Sequence, residues 1–266
     1  MAGLFIKHYG QNLHKKTLPA GECTLAFLTD FHNGSRERAG MILEGLAHAR
    51  PDLVLIGGDM LTALPGLSYE PALYLIDALR ERFKLCYAFG NHEYRMMLYK
   101  DTYQGCGEAY LSELLKRDIT VLRNDSVSCD VKGLPLRITG FELPAPFYKK
   151  FKKHHFPAEE IEKLVGPTDS SSIQVLLAHN PVFCENYLDW GADLTLCGHM
   201  HGGIVRIFGH PLIGTDGHFF PRYGYGRVDA GEKSVYISAG LGEHTFPLRI
   251  ANPRELILVT LKNHIT

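Results

Sequence analysis

Excess charge of either sign is what this sequence of 266 residues most conspicuously lacks: 28 Lys and Arg stand against 29 Asp and Glu, a formal net charge of -1. The broad positive field that draws a protein to polynucleotides is therefore missing, which lowers a nuclease reading and leaves no strong nucleic-acid signal. Long apolar runs are missing too. Met1 to Gly10 holds a short apolar stretch broken by Lys7 and His8, well under the roughly 18 residues a spanning helix needs. It does not read as a secretory signal, and Gly, Asp, His or Lys interrupts each later candidate. A soluble, cytoplasmic protein without a transmembrane segment is expected. The six cysteines, Cys23, Cys86, Cys106, Cys129, Cys184 and Cys197, show no C-x-x-C spacing, and several lie in apolar runs. That pattern argues against a disulfide framework and for reduced core thiols in a reducing compartment.

Hydrophobic residues make up 45% of the chain and charged residues 21%, the balance of an ordinary globular protein. The length suits one large α/β domain over residues 1–266, with no internal repeat or low-complexity linker. Leu25 to Thr29 and Leu53 to Ile56 read as buried strands, and between them Ala39, Ile42, Leu43, Leu46 and Ala47 recur on a helical period that Pro51 stops. Glu70 to Arg82 predicts a second helix, Leu85 to Phe89 a third strand, Glu108 to Lys116 a further helix and Thr120 to Leu122 a strand. Val127 to Val131 and Leu136 to Phe141 flank Lys132-Gly133, a hairpin signal. Ser172 to Ala178, Asp193 to Cys197, Val235 to Ser238 and Leu256 to Leu261 supply the later strands. Alternating β-α units followed by hairpins predict a mixed sheet or a two-sheet sandwich with helices outside.

Five polar clusters share one placement. Asp30-x-His32, Asp59, Asn91-His92, His179 and His199-x-His201 each follow directly on an apolar strand, where functional groups of α/β sheets collect. Taken singly, each has a plainer explanation: Asp30 and Asp59 as turn residues, Asn91 as a left-handed position beside Gly90, His179 as the cap of the helix after Asn180-Pro181. Gly198-His199-Met200-His201-Gly202-Gly203 is harder to explain that way, because alternating histidines between glycines combine ligand atoms with close backbone approach. Jointly, the plain explanation needs five coincidences in order.

In that order, D-x-H, G-D, G-N-H-E, H and G-H-x-H, the sequence resembles the calcineurin-like metallophosphoesterases from Asp30 to His201. Within them it is most similar to a small bacterial phosphodiesterase-like branch, through Gly198 to Ile207, Phe220 to Tyr223 and Ser238 to Leu248. The resemblance implies a four-layer α/β/β/α sandwich of two mixed sheets with a dinuclear centre at one edge. It implies that Asp30, His32 and His201 hold one ion, that Asn91, His179 and His199 hold the other, and that Asp59 bridges them. Nitrogen and oxygen donors without thiolate suit manganese, iron, zinc or cobalt, divalent or trivalent. The implied reaction is hydrolysis of a phosphoester by a metal-bridging hydroxide, with His92 beside the phosphate to stabilise the transition state or protonate the leaving oxygen. Glu93 is expected to orient this loop.

Asp59 is followed by Met60-Leu61-Thr62-Ala63 rather than by the Asp-Arg pair of the protein Ser/Thr phosphatase branch. A phosphodiester or pyrophosphate bond of a small or lipid-linked substrate is therefore favoured. Phosphomonoesterase, nuclease or a non-catalytic metal-binding module are the alternatives. Related chains often carry a membrane anchor before this domain; none is read here, so a lipid would be reached peripherally. Tyr148 to Phe156, with four lysines among aromatics, reads either as a solvated loop or as a grip for a phosphate-rich or membrane substrate. Arg222, in the aromatic run His218 to Tyr225, reads equally as a second phosphate partner or as part of a structural loop, as do His244 and Arg249.

Overall fold

A computed structural model describes residues 3–148, 156–214, 219–243 and 248–265. The first sheet holds β1 (Leu4–Leu13), β2 (Gly21–Leu28), β3 (Leu53–Ile56), β4 (Leu85–Ala88), β5 (Thr120–Leu122) and β14 (Arg254–Asn263), ordered β1-β14-β2-β3-β4-β5. The second holds β6 (Asp125–Val131), β7 (Leu134–Phe141), β8 (Ile173–Ala178), β9 (Leu194–Cys197), β12 (Gly226–Ala230) and β13 (Lys233–Ile237), ordered β12-β13-β9-β8-β7-β6. Both are mixed: β2 to β5 run parallel with β14 antiparallel to β2, and β7, β8, β9 and β13 run parallel between antiparallel β6 and β12. A small hairpin, β10 (Val205–Ile207) and β11 (His210–Ile213), stands apart.

Side-chain alternation along the strands explains the layering. Along β2, Leu25 and Phe27 face the second sheet and meet Leu136, Val175 and Leu196, while Ala26 and Leu28 face the helices. Those helices are α1 (Arg36–Ala49), α2 (Glu70–Arg80), α3 (Asn91–Leu98) and α4 (Cys106–Lys116), which bury Ile42, Leu46, Ile76, Met96 and Leu114 on the first sheet. Helices α5 (Ala158–Val165) and α6 (Cys184–Trp190) cover the second sheet through Ile161 and Tyr187. The result is helix, sheet, sheet, helix, the four-layer sandwich expected. All six cysteines are free thiols, four of them buried.

The local signals hold with shifted ends. Ser35 caps α1 by accepting from the Arg38 N–H, and Arg50 ends it in a left-handed turn before Pro51. Helix α2 stops at Arg80 rather than Arg82, because the Arg82 and Phe83 N–H groups turn back to the Leu79 carbonyl. Lys132 and Gly133 both take positive φ, 54° and 83°, in a tight hairpin turn between β6 and β7. Strand β1 was not read from the sequence: its identity depends on parallel pairing with β14 across the length of the chain, Leu4 with Arg254 through Leu13 with Asn263. Helix α3 was missed as well, since Gly90-Asn91-His92 reads as a loop until Glu93 accepts the Gly90 N–H three residues back.

Candidate metal centre

Asp30 and His32 follow β2, Asp59 follows β3, Asn91 opens α3 after β4, His179 follows β8, and His199 and His201 follow β9. The carboxyl ends of parallel strands from both sheets thus meet at one edge, where the side chains of Asp30, His32, Asp59, His179, His199 and His201 converge and Asn91 opens the adjoining helix. Ligand-capable atoms of Asp30, His32 and His201 lie within 4.8 Å of one another, as do those of Asp59, His179 and His199, and those of His32, Asp59 and His92. Asp59 belongs to two of these groups. Its Oδ2 lies 3.0 Å from His179 Nε2, 3.9 Å from His32 Nε2 and 3.8 Å from His92 Nε2. Asp30 Oδ1 lies 3.3 Å from His201 Nε2, 3.7 Å from His179 Nε2 and 3.8 Å from His32 Nε2. His32 Nε2 and His201 Nε2 are 3.2 Å apart.

Reaching this edge demands unusual backbone. Asp30, His32, Asp59, His199 and His201 all take left-handed φ, between 48° and 69°. That conformation costs a non-glycine residue on the order of 1–3 kcal/mol and gathers at functional sites. Cross-strand bonds offset it: the Asp30 N–H donates to Gly58 O and the His32 N–H to Asp59 O, at 3.0 and 3.1 Å. Gly90 is required for space, because a Cβ there would lie 2.2 Å from Asp59 Oδ1.

Glu93 is the buttress. Its carboxylate accepts from the backbone N–H groups of Asp59, Met60 and Gly90, at 2.8, 2.8 and 3.1 Å, and from the Tyr87 hydroxyl at 2.8 Å. These donors fasten the Asp59 turn to the start of α3, which is how Glu93 orients the loop. Asn252 does the same for the histidine pair: its Nδ2 donates to His201 O and Gly203 O, at 2.7 and 2.6 Å. Arg249 donates to Ala239 O at 2.8 Å and reaches His201 Nδ1 at 3.3 Å. Asn252 escaped the sequence reading, because nothing about an Asn before Pro253 signals a partner 51 positions away.

Hydrogen bonding assigns the ring protons. His179 Nδ1 faces Gly57 O at 2.8 Å, a carbonyl that can only accept, so Nδ1 carries hydrogen and Nε2 points into the cluster. His92 is the reverse: its Nδ1 accepts the Ala63 N–H at 2.7 Å, so the neutral ring carries its proton on Nε2, toward Asp59. Burial holds His92 below the usual histidine range, against the pull of Asp59. For the side chains alone, burial lifts Asp30 to about 6. Burial also pushes Asp59 up, but His179 and His92 hold it well below the carboxylate range. His179 is driven down by burial and, more strongly, up by Asp59 and Asp30, to about 10.

One buried donor atom without a partner fits a metal. Asn91 Oδ1 has no hydrogen-bond partner, and a sealed polar atom left so costs about 1–3 kcal/mol; His179 Nε2 faces the Asp59 carboxylate at 3.0 Å. Asn91 stands one residue before His92, whose N–H is bonded to Asp59 Oδ1, and the nitrogen and oxygen donors of Asp30, Asp59 and the histidines are a set suited to borderline transition metals.

Among the weaker candidates, Arg222 pairs with exposed Glu185 at 2.9 Å and lies over the Tyr223 ring. Residues 149–155 of the basic-aromatic segment, His218 and His244 lie outside the described residues. Tyr148 and Phe156 are described: Phe156 is buried in the core beneath α5 and α6, and the Tyr148 ring meets the His199 ring. Among the described residues, no helix is long and apolar enough to cross a membrane.

The calcineurin-like phosphoesterase family matches residues 23–203, which span every candidate ligand position above. The chain belongs to that family, a class of metal-dependent phosphoric ester hydrolases. Metallophosphoesterase F40B5.2 of Caenorhabditis elegans is 26% identical over 275 residues, covering 98% of this chain and 54% of that protein. A metallophosphoesterase of Helicobacter pylori J99 is 29% identical, covering 90% of this chain and 60% of its own length. The chain thus spans little more than half the length of these two curated relatives. Phosphodiesterase YaeI of Escherichia coli K12 is 28% identical over 245 residues, covering 89% of this chain and 81% of that one. Among solved structures, the Haemophilus influenzae NAD nucleotidase NadN shares the fold, with TM-score 0.50 at 16% identity over 84% of this chain and 46% of that chain.

Proposed function

We propose that this protein, as a single domain over residues 1–266, hydrolyses a phosphodiester or pyrophosphate bond of a small or lipid-linked substrate. The observation that carries this reading is the meeting of Asp30, His32, Asp59, His179, His199 and His201 at one sheet edge, with the buried Asn91 Oδ1 beside them in sequence order and unpartnered. In the assignment we favour, Asp30, His32 and His201 hold one ion, Asn91, His179 and His199 the other, and Asp59 serves both. Two ions there supply positive charge that polarises a phosphoryl group and acidifies water.

The chain's own groups do the rest. His92 presents an Nε2 proton to the site, fixed by the Ala63 N–H at Nδ1, and donates it to the leaving oxygen as the ester bond breaks. The N–H of His92 donates to Asp59 Oδ1 at 2.8 Å, so the residue that carries the proton also orients the carboxylate. Glu93 holds both through the Asp59 turn.

A specific observation supports the lipid-linked end of the substrate class. Hairpin β10–β11 leaves Phe208 97% exposed at its tip, with Phe219 and Phe220 each 72% exposed beside it. It packs at Gly203, two residues beyond His201, where a Cβ would strike Ile213 O and Pro211. Apolar surface of that kind, so close to the site, suits an acyl or prenyl portion of a substrate.

Elemental analysis of purified protein, combined with hydrolysis of matched mono- and diester substrates after manganese is added, tests the proposal. Bound metal with diester turnover is expected; metal-free protein without turnover would overturn it. A nuclease instead predicts DNA or RNA binding that weakens steeply with salt, read by gel shift at two salt concentrations.

A further inference from the structure

The basic-aromatic segment singled out in the sequence begins with Tyr148, at the end of a short 3-10 turn, Ala145–Tyr148. Its ring stands edge-to-face on His199, with centroids 5.9 Å apart and planes at 67°. His199 in turn stands edge-to-face on His179, at 5.4 Å. On the other side of Asp59, His92 stands edge-to-face on His32, at 4.9 Å. Two side chains with a dissociable proton therefore flank the cluster: His92 beside the His32 half and Tyr148 beside the His179 and His199 half. Tyr148 is half-buried and brings a phenolic hydroxyl to that side of the cluster. That hydroxyl makes no hydrogen bond to a described residue, whereas buried Tyr87 and Tyr187 are both bonded through theirs. A phenol beside His199, with its proton unspent, can donate to an anion that enters the site.

We infer that Tyr148 is a substrate-contacting residue, whose hydroxyl donates a hydrogen bond to a phosphoryl oxygen from the His199 side of the site. The inference rests on the phosphoester reading, and adds to it a second donor across from His92. No proton is transferred: the O–H bond stays intact, and the developing charge on the phosphoryl oxygen shortens and strengthens the contact. Because the contact is to a phosphoryl oxygen rather than to the leaving group, it serves esters with good and poor leaving groups alike. His92, which protonates the leaving oxygen, matters most for the poor ones.

Tyr148→Phe removes the hydroxyl and keeps the ring against His199. In manganese-loaded protein, bound metal and melting temperature should match the wild type, and calorimetry should show inorganic phosphate binding weakened about 5- to 50-fold. Hydrolysis of aryl phosphodiesters should fall about 10- to 100-fold in kcat/KM by a factor that does not depend on the leaving group. Tyr148→Leu, which also removes the ring, should lose metal from the His199 side as well. Unchanged phosphate affinity in Tyr148→Phe would overturn the inference, whether or not the wild type turns over any ester. Phosphate binding that depends on Tyr148 in a protein that hydrolyses no ester would overturn the proposed function alone. A wild type that binds no phosphate would overturn both.

Discussion

The two ends of the sandwich handle polar groups in opposite ways. At the amino ends of β3, β4 and β5 a cavity of about 400 Å³ opens between the sheets, lined by Leu53, Phe83, Leu85, Val127 and Val131. Both arginines around it are already engaged: Arg117 pairs with Asp77 at 2.9 Å and with Glu113, and Arg80 meets the same Asp77 at 3.2 Å. Of the residues that line the cavity, Asp118 alone takes left-handed φ, at 56°. At the carboxyl ends, two aspartates and five histidines crowd within a few ångström, five of the candidate ligands take left-handed backbone, and the buried Asn91 Oδ1 lacks a partner. Charge left uncompensated inside a protein is normally selected against by its desolvation cost. The crowding of carboxylates and ring nitrogens at this end concentrates that cost and suits a shared cation, whereas the residues lining the cavity at the other end form no such cluster.

The sharpest way to break this comparison is at Asp59. Asp59→Asn removes the charge shared by two of the three donor groups, and hydrolysis should fall by at least ~10³-fold together with bound metal. Retained metal and activity would mean that the crowding at this end is structural. His92→Ala should lower kcat by about 10²–10⁴-fold while elemental analysis finds wild-type metal content; full activity in this variant would remove its assigned role. Asn252→Ala frees the carbonyls of His201 and Gly203 without touching a ligand side chain. As for other supporting groups around metals, it should weaken metal affinity about 10- to 100-fold, read by titration with a chelator. Complete removal of metal should lower stability by roughly 3 kcal/mol where the ion had been present at 100 times its dissociation constant, visible as a fall in Tm. The far end supplies the control: Lys84→Ala, on the rim of the amino-end cavity, should change stability by less than about 0.5 kcal/mol and leave turnover unaltered.

Within the fold, the elements with strong local signals were the legible ones. Helix α1 carried its own period, an N-cap at Ser35 and a stop at Pro51, and it formed where those residues place it. The Lys132-Gly133 turn likewise needs only its own two residues. Strand β1 gave no such sign, because Lys7, His8, Gln11 and Asn12 dilute its apolar alternation and its partner lies some 250 residues away, in β14. Hairpin β10–β11 was equally silent, being held by Ile250 and Phe219 through single bridges rather than by a long register.

For the centre itself, the sequence by itself determined which residues were candidates, because metal chemistry admits few side-chain types and each of them ends an apolar strand. That is a local property, written in residue identity and order. Only the tertiary structure decided which ring nitrogen of His92 and of His179 carries the proton, which backbone groups Glu93 fastens, that Asn252 holds the histidine turn, and that Tyr148 borders His199. Those depend on backbone groups of Ala63, Gly57 and His201 contributed by other strands, and hydrogen-bond direction between distant segments exists only once the two sheets have packed.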